Sequence, residues 1–273
     1  MTARDALREA EERLAAAGVD TPRVDAELLL AHVLGTTRSG VYERLDAEVD
    51  HGWEELLRRR ESREPLAYIL GEWGFRRLTL KVDPRVLVPR PETEVVVERA
   101  LVHLRGLEEP RVLDVGTGSG AIALAIADEH PGARVTAVDS SPDALDVARE
   151  NARKAGLDDR VQLSEHDLKD GLPLGAFDLV VSNPPYVAPD EILELEPEVR
   201  HWEPRSALVG QGIAEQVAAA ARSALRPEGW LVLETAAGTT ERLVERIELL
   251  GFGFVTVTPD LAGIDRVVEG RWL

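Results

Sequence analysis

The chain has 273 residues, 44% of them apolar, no cysteine and a formal net charge of −18. It has apolar chain enough for a full core, nothing for disulfides or thiolate metal sites, and six histidines without paired spacing such as HExxH. The acidity, concentrated after residue 80, opposes nucleic acid as a partner, and no run of about 18 apolar residues marks a membrane span. Arg4, Asp5, Arg8 and Glu9 stand where a signal peptide needs apolar residues, so a cytoplasmic location is expected; a monomer without metal is expected as well.

Helices come first. Thr2 is placed to cap a run with Ala6, Leu7, Ala10, Leu14 and Ala17 at helical spacing, closed by Gly18. Thr21 and Pro22 open a second helix, with Leu28 to Leu34 as its buried stripe and Gly35 as its stop. A third amphipathic stretch runs from Trp53 to Arg63; its Arg58, Arg59, Arg60 and Arg63 read as a solvated face. After Glu64-Pro65-Leu66-Ala67-Tyr68-Ile69-Leu70-Gly71 the period changes, and Phe75 to Val82 alternate like strands.

From Arg111 onward short apolar runs alternate with helical patterns. The strands are Val112 to Val115, Val135 to Val138, Val161 to Leu163, Leu179 to Val181, Leu231 to Leu233, Phe254 to Val257 and, closing the sheet, Arg266 to Trp272. Helices over Ala121 to Ala127, Pro142 to Ala155 and Ile213 to Leu225 lie between them, the last ending before Pro227-Glu228-Gly229. This is the pattern of an α/β fold, a mainly parallel sheet with helices on both faces, preceded by a small helical region. The boundaries expected are 1–72 for the helical domain, 73–90 for a linking β-hairpin and 91–273 for the sheet domain.

The first sheet strand runs into Gly116-Thr117-Gly118-Ser119-Gly120 and then a helix, a turn that lets backbone approach a ligand. Asp139, ending the next strand about 19 residues beyond Gly120, is where a carboxylate accepts both hydroxyls of a ribose. The glycine spacing does not fit G-x-G-x-x-G, and Asp114 before the loop is placed to pair with the amino group of a methionine moiety. These features point to S-adenosyl-L-methionine rather than a dinucleotide. Asp167 and Leu168, after the third strand, stand where side chains meet an adenine. A plain tight turn at the glycines, and a helix N-terminal acid at Asp139, are the structural alternatives.

The fourth strand ends in Ser182-Asn183-Pro184-Pro185-Tyr186, at the edge where open α/β sheets place their chemistry. An amide or arylamine nitrogen is a poor nucleophile because its lone pair is delocalised. If the Asn183 side-chain oxygen and the Pro184 carbonyl accept its two N–H bonds, the nitrogen moves toward sp³ and the lone pair is freed. Pro185 stiffens the loop and Tyr186 flanks the planar group, so catalysis is orientation and electrostatics. The alternative is a merely rigid loop.

The residues Glu64 to Gly71, Val86-Leu87-Val88-Pro89-Arg90-Pro91-Glu92-Thr93-Glu94, the glycine loop, Asn183 to Tyr186, Glu203-Pro204 with Ala207-Leu208, and Asp265-Arg266-Val267-Val268 together resemble the protein-(glutamine-N5) methyltransferases of the PrmC or HemK family. The resemblance spans nearly the whole chain. It implies a Rossmann-like S-adenosylmethionine methyltransferase sheet, an N-terminal bundle that docks the substrate, and S-adenosyl-L-homocysteine as product. The implied substrate is the glutamine of the Gly-Gly-Gln motif of class 1 peptide-chain release factors. By the same resemblance Gly116 to Gly120, Asp139, Asp167-Leu168 and Asn183 contact the cofactor, and Asn183 to Tyr186 hold the glutamine. The chain departs from the pattern at Leu168, where many relatives carry an aromatic residue, at Val209-Gly210-Gln211-Gly212 and at Glu234-Thr235-Ala236-Ala237. A ribosomal-protein glutamine, a DNA or RNA amino group, and a non-catalytic cofactor-binding role are the competing readings.

Overall fold

The computed structural model describes residues 1–50 and 52–273. The Thr2 hydroxyl accepts from the Asp5 amide and starts α1 (Ala3–Ala16), which buries Leu7, Ala10 and Leu14; Gly18, at φ +75°, turns the chain. Pro22 opens α2 (Pro22–Val33), but Thr21 makes no side-chain cap; its hydroxyl donates to the Asp25 carboxylate at 2.8 Å. The third helix, α3 (Gly52–Glu61), stops short of Arg63, which takes a left-handed φ of +63°. A short helix without a sequence signal, α4 (Leu66–Leu70), follows and ends at Gly71, φ +76°.

The arginines of this region are the main correction. Of the four expected on a solvated face, Arg58 is exposed, its side chain 61% accessible. Arg60 is buried, paired with Asp25 at 2.7 Å and Glu198 at 2.8 Å. Arg63 pairs with the same Glu198 at 2.5 Å and donates to the Gly18 carbonyl, and Arg59 pairs with the buried Glu64. Spacing within α3 could not reveal this, since Glu198 lies 135 residues beyond Arg63, on α8 (Pro197–Trp202). The chain accordingly forms two compact units, Met1–Glu72 with Leu195–Trp202, and Trp73–Glu194 with Glu203–Leu273.

The alternating stretch after Gly71 is a hairpin of β1 (Glu72–Phe75) and β2 (Leu78–Lys81), turned at Arg76 with φ +53°. The second unit continues with α5 (Thr93–Leu104), β3 (Arg111–Val115), α6 (Ala121–Glu129), β4 (Arg134–Asp139), α7 (Pro142–Ala155), β5 (Val161–Glu165) and β6 (Phe177–Ser182). After α9 (Arg205–Leu208) come α10 (Ile213–Ala224), β7 (Leu225–Glu234), α11 (Thr240–Leu249), β8 (Phe252–Pro259) and β9 (Asp265–Trp272). The seven-stranded sheet has the order β5-β4-β3-β6-β7-β9-β8. Its first five strands are parallel, and β9 runs antiparallel to both β7 and β8. The last strand therefore inserts beside β7 and leaves β8 at the edge. Strand β7 begins directly after α10 and absorbs Pro227-Glu228-Gly229 in a register shift, with Glu228 at φ +67°.

One face of the sheet packs against α5, α6, α7 and the hairpin, through Phe75, Val96, Leu124 and Ile126; the other packs against α10 and α11, through Val217, Ala221 and Ile247. Strand order reverses between β3 and β6, and a crevice at the carboxyl ends of the strands belongs at such a point.

Candidate active site

That crevice is a cavity of about 320 Å³. Its first wall is the turn after β3. Gly116, at φ +73°, and Gly118, at φ +56°, line it, and a Cβ on either would meet nothing within 4 Å, so open space lies beside bare backbone. Gly120, φ +85°, is constrained differently: it lies behind the wall, where a Cβ would press on Leu124 at 3.0 Å. Thr117 and Ser119 are buried under the loop. Asn151 of α7 holds this arrangement, donating to the carbonyls of Ser119 and Lys81 and accepting the Lys81 amide at 2.7 Å, which joins loop, helix and hairpin.

Asp139 lines the cavity with its carboxylate pinned from behind, Oδ2 accepting the Gly118 amide at 2.8 Å and Oδ1 the Ser141 amide at 2.9 Å. Burial raises its pKa against these amide bonds. Asp114 is fully buried and does not reach the wall. It accepts the Thr117 hydroxyl at 2.7 Å, its Oδ1 has no partner, and burial, with the Asp139 charge adding, raises its carboxyl to about 7. Asp167 and Leu168 line the cavity beside His166 and Lys169, and Asp167 accepts the Lys169 amide at 3.0 Å.

The opposite wall carries Ser182, Asn183, Pro184 and Pro185. The Ser182 hydroxyl donates to the Val115 carbonyl at 2.6 Å and fixes the strand ends together. Asn183 Nδ2 donates to the Thr93 hydroxyl at 3.0 Å, which leaves Oδ1 uncommitted. Tyr186 is half-buried behind the wall, its hydroxyl pKa raised by that burial and by the Glu234 charge. The loop is clamped from outside. Val187 donates its amide to the Leu208 carbonyl at 2.9 Å and accepts from Gly210, and a Cβ on Gly210 would fall 2.5 Å from the Pro185 carbonyl. Only glycine permits that approach.

Some functional geometry carries no periodic signal in the sequence. Val86 and Leu87 line the cavity, and Arg90 holds the buried Glu203 at 2.7 Å, next to Pro204 and Ala207 of the same cavity wall. Thr93 and Glu234 are both buried near Asn183. The sequence offered these residues only as motifs of the family resemblance, Val86 to Glu94 and Glu203-Pro204, with nothing to show that the two segments meet.

A reversing parallel sheet with an antiparallel strand inserted near its end, a glycine turn after β3 and Asn-Pro-Pro-Tyr after β6 define a Rossmann-like methyltransferase. The fold is shared with the catalytic domain of hMettl16, TM-score 0.58 at 17% identity over 72% of this chain and 76% of that one. It is shared also with a methyltransferase from Pyrococcus furiosus, TM-score 0.50 at 19% identity over 71% and 88%.

Residues 5–71 match the PrmC N-terminal domain family and residues 94–196 the methyltransferase small domain family. The chain is 45% identical to the release factor glutamine methyltransferase of Deinococcus radiodurans over 99% of both chains. Its identity to the enzyme of the same name from Geobacter sulfurreducens is 41%, over 94% of this chain and 92% of that one. The chain belongs to the release factor glutamine methyltransferase family.

Proposed function

We propose that the protein transfers the methyl group of S-adenosyl-L-methionine to the side-chain amide nitrogen, N5, of the glutamine in the Gly-Gly-Gln motif of class 1 peptide-chain release factors. The observation that carries the reading is Asn183. It stands on the wall of the same cavity as Gly116, Gly118 and Asp139, with its Nδ2 engaged by Thr93 and its Oδ1 available to accept.

The residues fit the cofactor. Gly116 and Gly118 offer backbone with no side chain in the way, and Asp139, held by two amides, presents lone pairs for ribose hydroxyls. Leu168 gives the adenine an apolar contact in place of a stacked ring. Asp114 acts from beneath, through Thr117, by fixing the loop. When bound, S-adenosyl-L-methionine supplies an electrophilic methyl group, and S-adenosyl-L-homocysteine is the product.

On the substrate side, Asn183 Oδ1 and the Pro184 carbonyl accept the two N–H bonds of the glutamine amide and turn its lone pair toward the methyl. Orientation and fixed dipoles supply the rate. No prior deprotonation is needed, because the nitrogen becomes acidic on methylation and its proton then passes to solvent. The helical unit serves as the docking surface for the release factor. Such a substrate places the enzyme in the cytoplasm, and among the described residues no helix is long and apolar enough to cross a membrane.

The test is transfer of labelled methyl to purified release factor, beside a Gln-to-Ala mutant of its Gly-Gly-Gln motif, a ribosomal protein mixture and DNA. Label is expected on the unmutated factor alone; label in DNA or ribosomal protein would replace the substrate. Asn183→Ala should lower kcat by about 10³-fold, comparable to losing one fixed dipole from a preorganised site, while unfolding stability changes little.

A further inference from the structure

The sheet edge holds a carboxyl group that the reaction, as described, does not use. Ser182 of β6 and Leu233 of β7 are register partners on adjacent parallel strands roughly 5 Å apart, so Asn183, directly after β6, and Glu234, the last residue of β7, follow them side by side. Side chains alternate, and Val181 and Val232 both belong to the core beneath α5, so Asn183 and Glu234 share that same face. Helix α5 begins over it at Thr93, which is buried and receives the Asn183 Nδ2–H. Glu234 is buried too; its Oε2 has no partner, and it takes no part in the cavity wall.

A carboxamide can turn over, exchanging Oδ1 and Nδ2 with almost no change of shape, and only its hydrogen-bond partners decide which end faces the substrate. A hydroxyl alone decides nothing, since it donates as readily as it accepts. We propose that Glu234 sets the polarity of Asn183: its carboxylate takes the hydrogen of the Thr93 hydroxyl, so that Thr93 can only accept, holds Asn183 by Nδ2–H and keeps Oδ1 toward the glutamine. Glu234 is thus a positioning residue acting through Thr93, and the inference rests on the reading that Asn183 Oδ1 accepts the substrate amide.

The surroundings fit this role. Burial raises the Glu234 carboxyl to about 7; the Thr93 hydroxyl and the charges of Arg266 and Arg90 oppose the rise, and Glu92 adds to it. Both arginines are committed elsewhere, Arg266 to Asp260 at 3.1 Å and Arg90 to Glu203 at 2.7 Å. Tyr186 also feels the Glu234 charge, and its hydroxyl pKa is raised above its ordinary value by burial first and by that charge next. Once protonated, Glu234 can donate to Thr93, whose own hydrogen then turns toward Asn183 and favours the reversed amide. The device makes the site lose activity toward acid.

The experiment is the pH profile of kcat at saturating S-adenosyl-L-methionine and release factor, for the wild type, Thr93→Val, Thr93→Ser and Glu234→Gln, with cofactor Kd measured alongside. The wild type should lose kcat as pH falls through about 7. Thr93→Val should lose about 10²-fold in kcat with cofactor Kd unchanged, the scale expected when a reacting group is misplaced, and Thr93→Ser should restore activity together with the acid limb. Glu234→Gln should flatten that limb. Wild-type kcat in Thr93→Val, or an unaltered acid limb in Glu234→Gln, overturns the inference. Asn183→Ala separates the two readings: an inactive Asn183→Ala beside a fully active Thr93→Val removes only the role of Glu234, whereas an active Asn183→Ala removes the reading beneath it.

Discussion

The helical unit and the catalytic edge of the sheet bury carboxylates in opposite ways. In the helical unit Glu27 accepts from Tyr42, from Arg23 at 2.8 Å and from Arg38 at 2.5 Å; burial alone would raise it, but these bonds outweigh burial and bring its pKa to about 2. Glu198, between Arg60 and Arg63, is likewise lowered against the push of burial. At the catalytic edge Asp114 and Glu234 each keep a buried oxygen without a partner, and burial raises both to about 7. Among the described residues no guanidinium is paired with either carboxyl: Arg90 and Arg266 stand near Glu234 but are committed to Glu203 and Asp260. Carboxyls buried in this way can change state near neutral pH, whereas the arginine-paired ones of the bundle stay charged there.

The contrast has opposite signs in pH, and the larger effect belongs to Asp114. Its folded pKa of about 7 stands above the ordinary 3.8, so the folded chain keeps a proton that the unfolded chain releases; stability falls as pH rises through that window, by up to about 4 kcal/mol from this one group. Glu27, at about 2 against 4.5, contributes stability that is present above 4.5 and is lost as pH falls toward 2. Asp114→Asn keeps an acceptor for the Thr117 hydroxyl and cannot ionise. In cofactor-free protein it should unfold at higher urea than the wild type near pH 8, with the gap closing as pH falls toward about 4. A gap of the other sign, or one indifferent to pH, would break the comparison.

The two regions also differ in how far the sequence exposes them. The glycine loop, Asp139 and the Asn-Pro-Pro-Tyr segment are local signals, because a strand running straight into a turn fixes what its last residues face, and the structure brings Gly116, Gly118, Asp139 and Asn183 to one cavity. The parallel part of the sheet was legible for the same reason, as apolar runs alternating with capped helices. What stayed hidden depends on distant partners. The burial of Arg60 needs Glu198, the fit of Gly210 needs the Pro185 carbonyl, and the position of β9 between β7 and β8 follows from pairing that strand periodicity does not encode. Asp114 shows a subtler limit: its place before the loop was plain, but it pairs in register with Val181, two residues short of Asn183, so it lies beneath the loop against Thr117 and does not reach the cavity.

The arginines of α3 sharpen the comparison within a single helix. Arg60→Ala removes the cation between Asp25 and Glu198 and leaves the Asp25 carboxylate buried with only the Thr21 hydroxyl against it, so urea unfolding should show a loss of about 3 kcal/mol, the scale of a broken buried pair. Arg58→Ala, two residues away, should change stability by less than about 0.5 kcal/mol, because its contacts with Glu54 and Glu55 at 3.6 and 3.5 Å are open to water. If the two losses came out equal, the energy of this helix would lie in its apolar contacts through Trp53 and Leu57 and in neither ion pair. If they separate as expected, two arginines that read alike in sequence differ because one has a partner brought back to it by α8, and burial rather than charge decides the outcome.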